Sequence, residues 1–163
     1  MVHRDVKGEN LILSEKERRF KLIDFGVACD LVSRTNYDED LNCFDPSYCP
    51  PEASGSGALG EGGLVVAAGG RFDVFSAGLL VVQMCFPQYR SDKGIARFKQ
   101  SLRGSGWNLR EWRQAVEGDR SFEDGFKVLD RNGGMALLEG CLREDPKRRI
   151  TSAAAASSGF CRA

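Results

Sequence analysis

The stretch that most narrows the fold is Asp73–Phe86, which is apolar on nearly every side. A helix of that kind cannot lie on a surface and must be wrapped by other elements. Ser76, Gly78 and Gln83 interrupt it, and it falls short of the roughly 20 apolar residues that span a bilayer, so it reads as a buried central helix that Pro87 stops. The wrapping elements follow in order. Ile95, Phe98 and Leu102 share one helical face, and Leu109, Trp112 and Val116 share another, with Asn108 placed as its cap. Phe122, Phe126 and Leu129 form a third stripe, and Met135, Leu138 and Leu142 a fourth. Thr151 can cap a short final helix. Upstream, the short apolar runs Leu11–Leu13 and Phe20–Ile23 flank the polar stretch Ser14–Arg19, a pattern that predicts an antiparallel hairpin. The expected fold is mainly α with one small β-hairpin at its amino end.

The 163 residues carry 23 basic and 23 acidic side chains, so no global field draws the chain to nucleic acid or anionic lipid. Cys29, Cys43, Cys49, Cys85, Cys141 and Cys161 form no C-x-x-C pair, and His3 is the only histidine. They are expected as reduced thiols packed like small hydrophobes. Val27–Glu52 has little periodicity and an acidic run around Asn36–Asp40, which marks a long functional loop. Residues 54–70 are crowded with glycine and alanine and read as a surface insertion. Met1 is followed at once by Val-His-Arg-Asp with no targeting leader; the expectation is that an upstream part is missing.

The chemistry-bearing residues sit on either side of the hairpin. In an antiparallel pair the residue entering the first strand lies beside the residue leaving the second. Asn10 and Asp24 are those residues, two oxygen ligands suited to Mg²⁺ bound together with phosphates. Asp5 lies five residues before Asn10 on the same loop, close enough to meet a hydroxyl approaching a phosphate. Lys7 can set a cation against the transferring group.

The run His3-Arg4-Asp5-Val6-Lys7-Gly8-Glu9-Asn10, with Asp24-Phe25-Gly26 after two strands, resembles the eukaryotic-type Ser/Thr protein kinases. Tyr48-Cys49-Pro50-Pro51-Glu52, Asp73-Val74-Phe75-Ser76-Ala77-Gly78 and Asp145-Pro146-Lys147-Arg148-Arg149-Ile150-Thr151 follow in that family's order. The resemblance covers nearly the whole chain and implies the helical carboxyl-terminal lobe, without the amino-terminal lobe. It makes residues 1–163 a partial kinase domain, with an activation segment at 24–52 and a helical base at 73–160. The implied activity is phosphorylation of protein Ser/Thr with ATP and Mg²⁺. By the same resemblance Asp5 orients the acceptor hydroxyl and takes its proton, and Lys7 contacts the γ-phosphate. Asn10 and Asp24 hold metal, and Glu9 belongs with Lys7, Asn10 and Asp24 to the nucleotide-binding set. His3 and Phe25 are packing residues, with Gly26 completing the D-F-G run. Glu52 and Arg149 should pair, and Asp73 should bind catalytic-loop amides. Arg4 would meet a phosphate on Ser33, Thr35, Tyr37 or Ser47, or the acids Asp38, Glu39 and Asp40 in its place.

Phe44-Asp45-Pro46-Ser47 through Glu52, Ala77–Met84 and the stretch from Trp112 to Gly134 look like the chloroplast thylakoid kinases of the state-transition type. That likeness implies light-harvesting and photosystem proteins as substrates, and a membrane link only through an upstream segment. Asp45 stands where Ser/Thr kinases usually carry threonine. It can accept from Lys7, and it would repel Asp5 unless a cation lies between them. No glycine-rich nucleotide loop or partnered strand lysine is present, so a non-catalytic binding module is the alternative. Small-molecule kinases of the aminoglycoside type keep a similar loop, but usually with H-G-D and without D-F-G.

Overall fold

A computed structural model of the chain describes residues 1–36, 44–53 and 69–162. Tyr37, Asp38, Glu39, Asp40, Cys43 and most of the glycine- and alanine-rich stretch lie outside the described residues. At the amino end β1 (Leu11–Ser14) pairs antiparallel with β2 (Arg19–Leu22). Leu11 faces Leu22 and Leu13 faces Phe20. The hairpin is as expected, its second strand shifted by one residue. A 3₁₀ turn, Gly8–Asn10, leads into it.

The central helix α1 runs Arg71–Cys85, starting two residues before the expected Asp73. Phe86 caps it by donating its amide to Val82 O, and Pro87 opens a 3₁₀ turn. Phe75, Leu79, Val82 and Phe86 are wholly buried, as a helix without a polar face requires. Around it pack α2 (Asp92–Gly104), α3 (Leu109–Ala115), α4 (Glu123–Leu129), α5 (Gly134–Cys141), α6 (Ser152–Ala156) and a short α7 (Gly159–Arg162).

The caps are where the sequence places them. Asn108 accepts from Arg110 N and Glu111 N, and Thr151 Oγ1 accepts from Ala154 N at 3.2 Å. The third stripe is split. Phe122 closes a 3₁₀ turn and α4 begins after it, because the Asp119 side chain binds the Ser121 amide and tightens the entry.

An aromatic cluster joins these helices. Phe86 lies 5.2 Å from Phe126 and 5.7 Å from Trp112, and Phe98 meets Trp112 edge-on at 5.1 Å. Each such buried side chain stabilises the fold by about 1.5–3 kcal/mol. The approach of α4 to α1 depends on Gly125. A Cβ there would stand 2.3 Å from Phe86 Cε1 and 2.6 Å from Cys85 O.

Cys29, Cys85, Cys141 and Cys161 are free thiols, and burial pushes the Cys141 thiol up to about 12. No described helix is long and apolar enough to cross a membrane.

Candidate active site

The loop before the hairpin is held from below by α1. Asp73, in the first turn of that helix, accepts the amide of His3 at 2.7 Å and of Arg4 at 3.0 Å. Its bonds go to the loop and not to its own helix end, which Gly70 caps. Burial raises the Asp73 carboxyl above its ordinary value although these amides pull it down. The two bonds hold Arg4 at φ +69°, a left-handed conformation that a side chain with a Cβ adopts only under constraint. The Arg4 guanidinium turns inward and donates to the carbonyls of Val27 and Asn36. Of the proposed phosphate positions, Ser33 binds Asp30 and Thr35. The Ser47 amide donates to Asp45 Oδ1.

His3 is buried. Its Nδ1 accepts the Asp5 amide at 3.3 Å, and its Nε2 lies 3.1 Å from Ile23 O. Both bonds together assign the neutral ring with hydrogen on Nε2. Phe25 meets this ring edge-on at 4.9 Å. Phe25 is otherwise 51% exposed.

Asp5, Lys7 and Asn10 come together. Asn10 is buried and donates from Nδ2 to Asp5 O and Asp5 Oδ2, each at 2.8 Å. Lys7 Nζ lies 3.0 Å from Asp5 Oδ1 and 3.4 Å from Asp45 Oδ2. It is the cation that the two carboxylates need between them, and Asp5 and then Asp45 raise the Lys7 ammonium. Lys7 and Asp5 thus form a close ion pair, with the Asp5 Oδ1 buried against the ammonium.

The hairpin returns Asp24 to this loop, with Ile23 N bonded to Asn10 O at 2.9 Å. Asp24 is itself left-handed at φ +61° and accepts Gly26 N on Oδ1 at 3.2 Å. A Cβ at Gly26 would crowd that oxygen at 3.1 Å. The fit to a divalent cation rests on the donors left over. Asn10 Oδ1 and Asp24 Oδ2 take no hydrogen bond among the described residues, and hard oxygens are what Mg²⁺ requires. No group of three His, Cys, Asp or Glu that could hold a metal by itself exists among them. Two protein oxygens therefore suit an ion that keeps phosphate and water ligands. Glu9 is apart from this cluster. It is exposed and lines a separate pocket of about 440 Å³ with Leu11, Phe20, Met84 and Arg90.

Below the site, Glu52 and Arg149 form a two-pronged pair at 2.8 Å on both arms. The remaining Arg149 donors go to Arg71 O, Arg143 O and Glu144 O, and its guanidinium lies 4.9 Å from the Phe75 ring centre. Such a fork suits arginine alone among the cations.

Three residues escape a reading of the sequence. Gln83 Nε2 binds Tyr48 Oη at 3.0 Å and the carbonyls of Tyr89 and Arg90. Ser76 Oγ donates to Tyr48 O. Lys99 reaches the same segment from α2. The polar interruptions at Ser76 and Gln83 were the visible signal for the first two; Lys99 gave none.

Known proteins are similar to this chain. The family profile described as "Protein kinase domain" matches residues 1–161. Serine/threonine-protein kinase STN7, chloroplastic, of Arabidopsis thaliana is 36% identical over 95% of this chain. Its counterpart STN8 from the same plant is 33% identical over 82%. The chain spans 31% and 29% of those two proteins. The crystal structure of a Stt7 homolog from Micromonas algae soaked with ATP superposes with a TM-score of 0.73 at 31% identity, over 99% of this chain and 51% of that one. The match of that profile over residues 1–161 shows that the chain belongs to the protein kinase domain family.

Proposed function

We propose that this chain forms the acceptor-facing part of an ATP-dependent protein serine/threonine kinase. One observation carries the reading: the Asp5 carboxylate is held by Asn10 at 2.8 Å and by Lys7 at 3.0 Å, so a carboxylate and a cation stand side by side in one cluster. A substrate hydroxyl that donates to the Asp5 carboxylate is oriented by it, and Asp5 takes its proton as the oxygen attacks. Lys7, braced by two carboxylates, keeps its charge and offsets the negative charge of the transferring group. Asn10 Oδ1 and Asp24 are the oxygens that would hold Mg²⁺. That ion, when bound with ATP, supplies positive charge to the phosphate oxygens. The strained backbone at Arg4 and Asp24 holds these side chains in place before substrate arrives.

Residues 24–52 are the activation segment in this reading, 54–70 a surface insertion and 73–160 the helical base. Likeness to STN7 and STN8, both named chloroplastic, supports a chloroplast setting.

The test is transfer from Mg-ATP to a protein acceptor by the chain joined to a relative's nucleotide-binding lobe. Asp5→Asn and Asp24→Asn should each abolish it, and full activity in Asp5→Asn ends the reading. A second reading, a non-catalytic binding module, is favoured by Asp45, which meets Lys7 at 3.4 Å from a position where Ser/Thr kinases usually carry threonine. It predicts no transfer by the joined chain, with partner binding equal in the parent and in Asp5→Asn.

A further inference from the structure

Lys99 lies on α2, 50 or more residues beyond the segment that it touches. Its Nζ donates to Cys49 O at 2.9 Å, Pro46 O at 3.1 Å and Ser47 O at 3.3 Å. An ammonium has three hydrogens, and these carbonyls take all of them. Three carbonyl oxygens converging on one point repel one another unless a cation sits among them, so the shape of the segment depends on the Lys99 charge.

The same segment is a tight turn. Asp45 O accepts the amides of Tyr48 and Cys49 at 3.1 and 3.0 Å, and Asp45 Oδ1 accepts Ser47 N at 2.8 Å. Ser76 Oγ pins Tyr48 O from α1. The other oxygen of Asp45 leaves the turn and meets Lys7 at 3.4 Å. A path of direct contacts therefore runs from Lys99 through the turn to Asp45, to Lys7 and to Asp5.

We infer that Lys99 is a positioning residue for the transfer step, holding the Asp45–Cys49 turn where Asp45 braces Lys7 beside Asp5. This rests on the kinase reading of the site. Burial lowers the Lys99 ammonium from its ordinary value, while Cys49 and Asp45 oppose that shift. A partly buried cation persists at this place because the turn supplies every acceptor it needs. Nothing in the α2 stripe of Ile95, Phe98 and Leu102 requires a lysine between them, so packing alone does not account for it.

The test uses Lys99→Met, Lys99→Gln as a second neutral variant should the first not fold, Asp45→Asn, and the Lys99/Asp45 double variant. All are placed in the chain joined to a nucleotide-binding lobe. Amide hydrogen exchange at Ser47, which reports the Asp45 carboxylate directly, should quicken about tenfold in Lys99→Met. The kcat should fall between about tenfold and about a hundredfold, with the KM for ATP unchanged. The double variant should lose no more than the worse single one. Unchanged Ser47 exchange, unchanged kcat or additive losses, with the parent active, overturn this inference alone. A parent and variants that all fail to transfer phosphate overturn the kinase reading itself.

Discussion

Glu52–Arg149 and Asp5–Lys7 are both carboxylate–cation pairs, and the molecule treats them differently. The Glu52 and Arg149 side chains are 8% and 0% exposed, and the guanidinium donors are filled by the carboxylate and three backbone carbonyls. Asp5 and Lys7 are 17% and 23% exposed. A saturated pair can only hold the fold, because any new partner must displace an old one. A pair whose side chains are partly exposed can meet a ligand from solvent. The contrast separates two readings that share one motif order: the lower pair anchors the segment ending at Glu52, and the upper pair is available for chemistry.

Four experiments break or sharpen that contrast. The largest effect is expected for Asp5→Asn in the lobe-joined chain, where transfer should drop about 10²- to 10⁴-fold with the denaturation midpoint nearly unmoved. Steady-state kinetics beside a urea titration decides this; equal damage to rate and stability would make Asp5 a structural residue. Next, Glu52→Gln should cost about 3–5 kcal/mol of stability, because it strands a buried guanidinium. Under conditions where the variant stays folded, its kcat should be close to that of the parent. A loss under 1 kcal/mol in the same titration would show that the pair is not an anchor.

Third, Gly125→Ala tests the apolar floor beneath both pairs. The added methyl meets Phe86 and the Cys85 carbonyl, and overpacking of this kind costs about 1–3 kcal/mol, readable as a lower thermal midpoint. The smallest effect concerns Asp73, which stands between the two regions. Burial raises its folded value above the ordinary 3.8, so the folded state holds the proton more readily than the unfolded one. Its contribution is then complete below pH 3.8 and is lost as pH rises through the folded value. The stability advantage of the parent over Asp73→Asn should shrink between pH 3.8 and neutrality. An advantage that grows with pH would mean that the two amide bonds outweigh burial.

Much of the fold was legible in the residues. The stripes at Ile95, Phe98 and Leu102 and at Leu109 and Trp112 became buried helical faces, and the two apolar runs became the hairpin. Asp5, Lys7, Asn10 and Asp24 lie within a short segment, so local turns alone could bring them near one another. The end of α1 was marked by Pro87, while its start at Arg71 followed a stretch without pattern. Phe25, expected as a packing residue, meets His3 edge-on at 4.9 Å and is 51% exposed.

The chain's own order of apolar and polar residues determined a buried helix, its wrapping stripes and the loop-hairpin-loop that carries the acids, because periodicity and turn chemistry act over a few neighbours. Tertiary structure alone decided that Gln83 would bind Tyr48, and that Lys99 would close on the carbonyls of Pro46, Ser47 and Cys49. Those partners lie 35 to 53 residues apart. At such separations a charge or an amide finds its partner through the packing of whole helices, and nothing in its immediate sequence records which partner that will be.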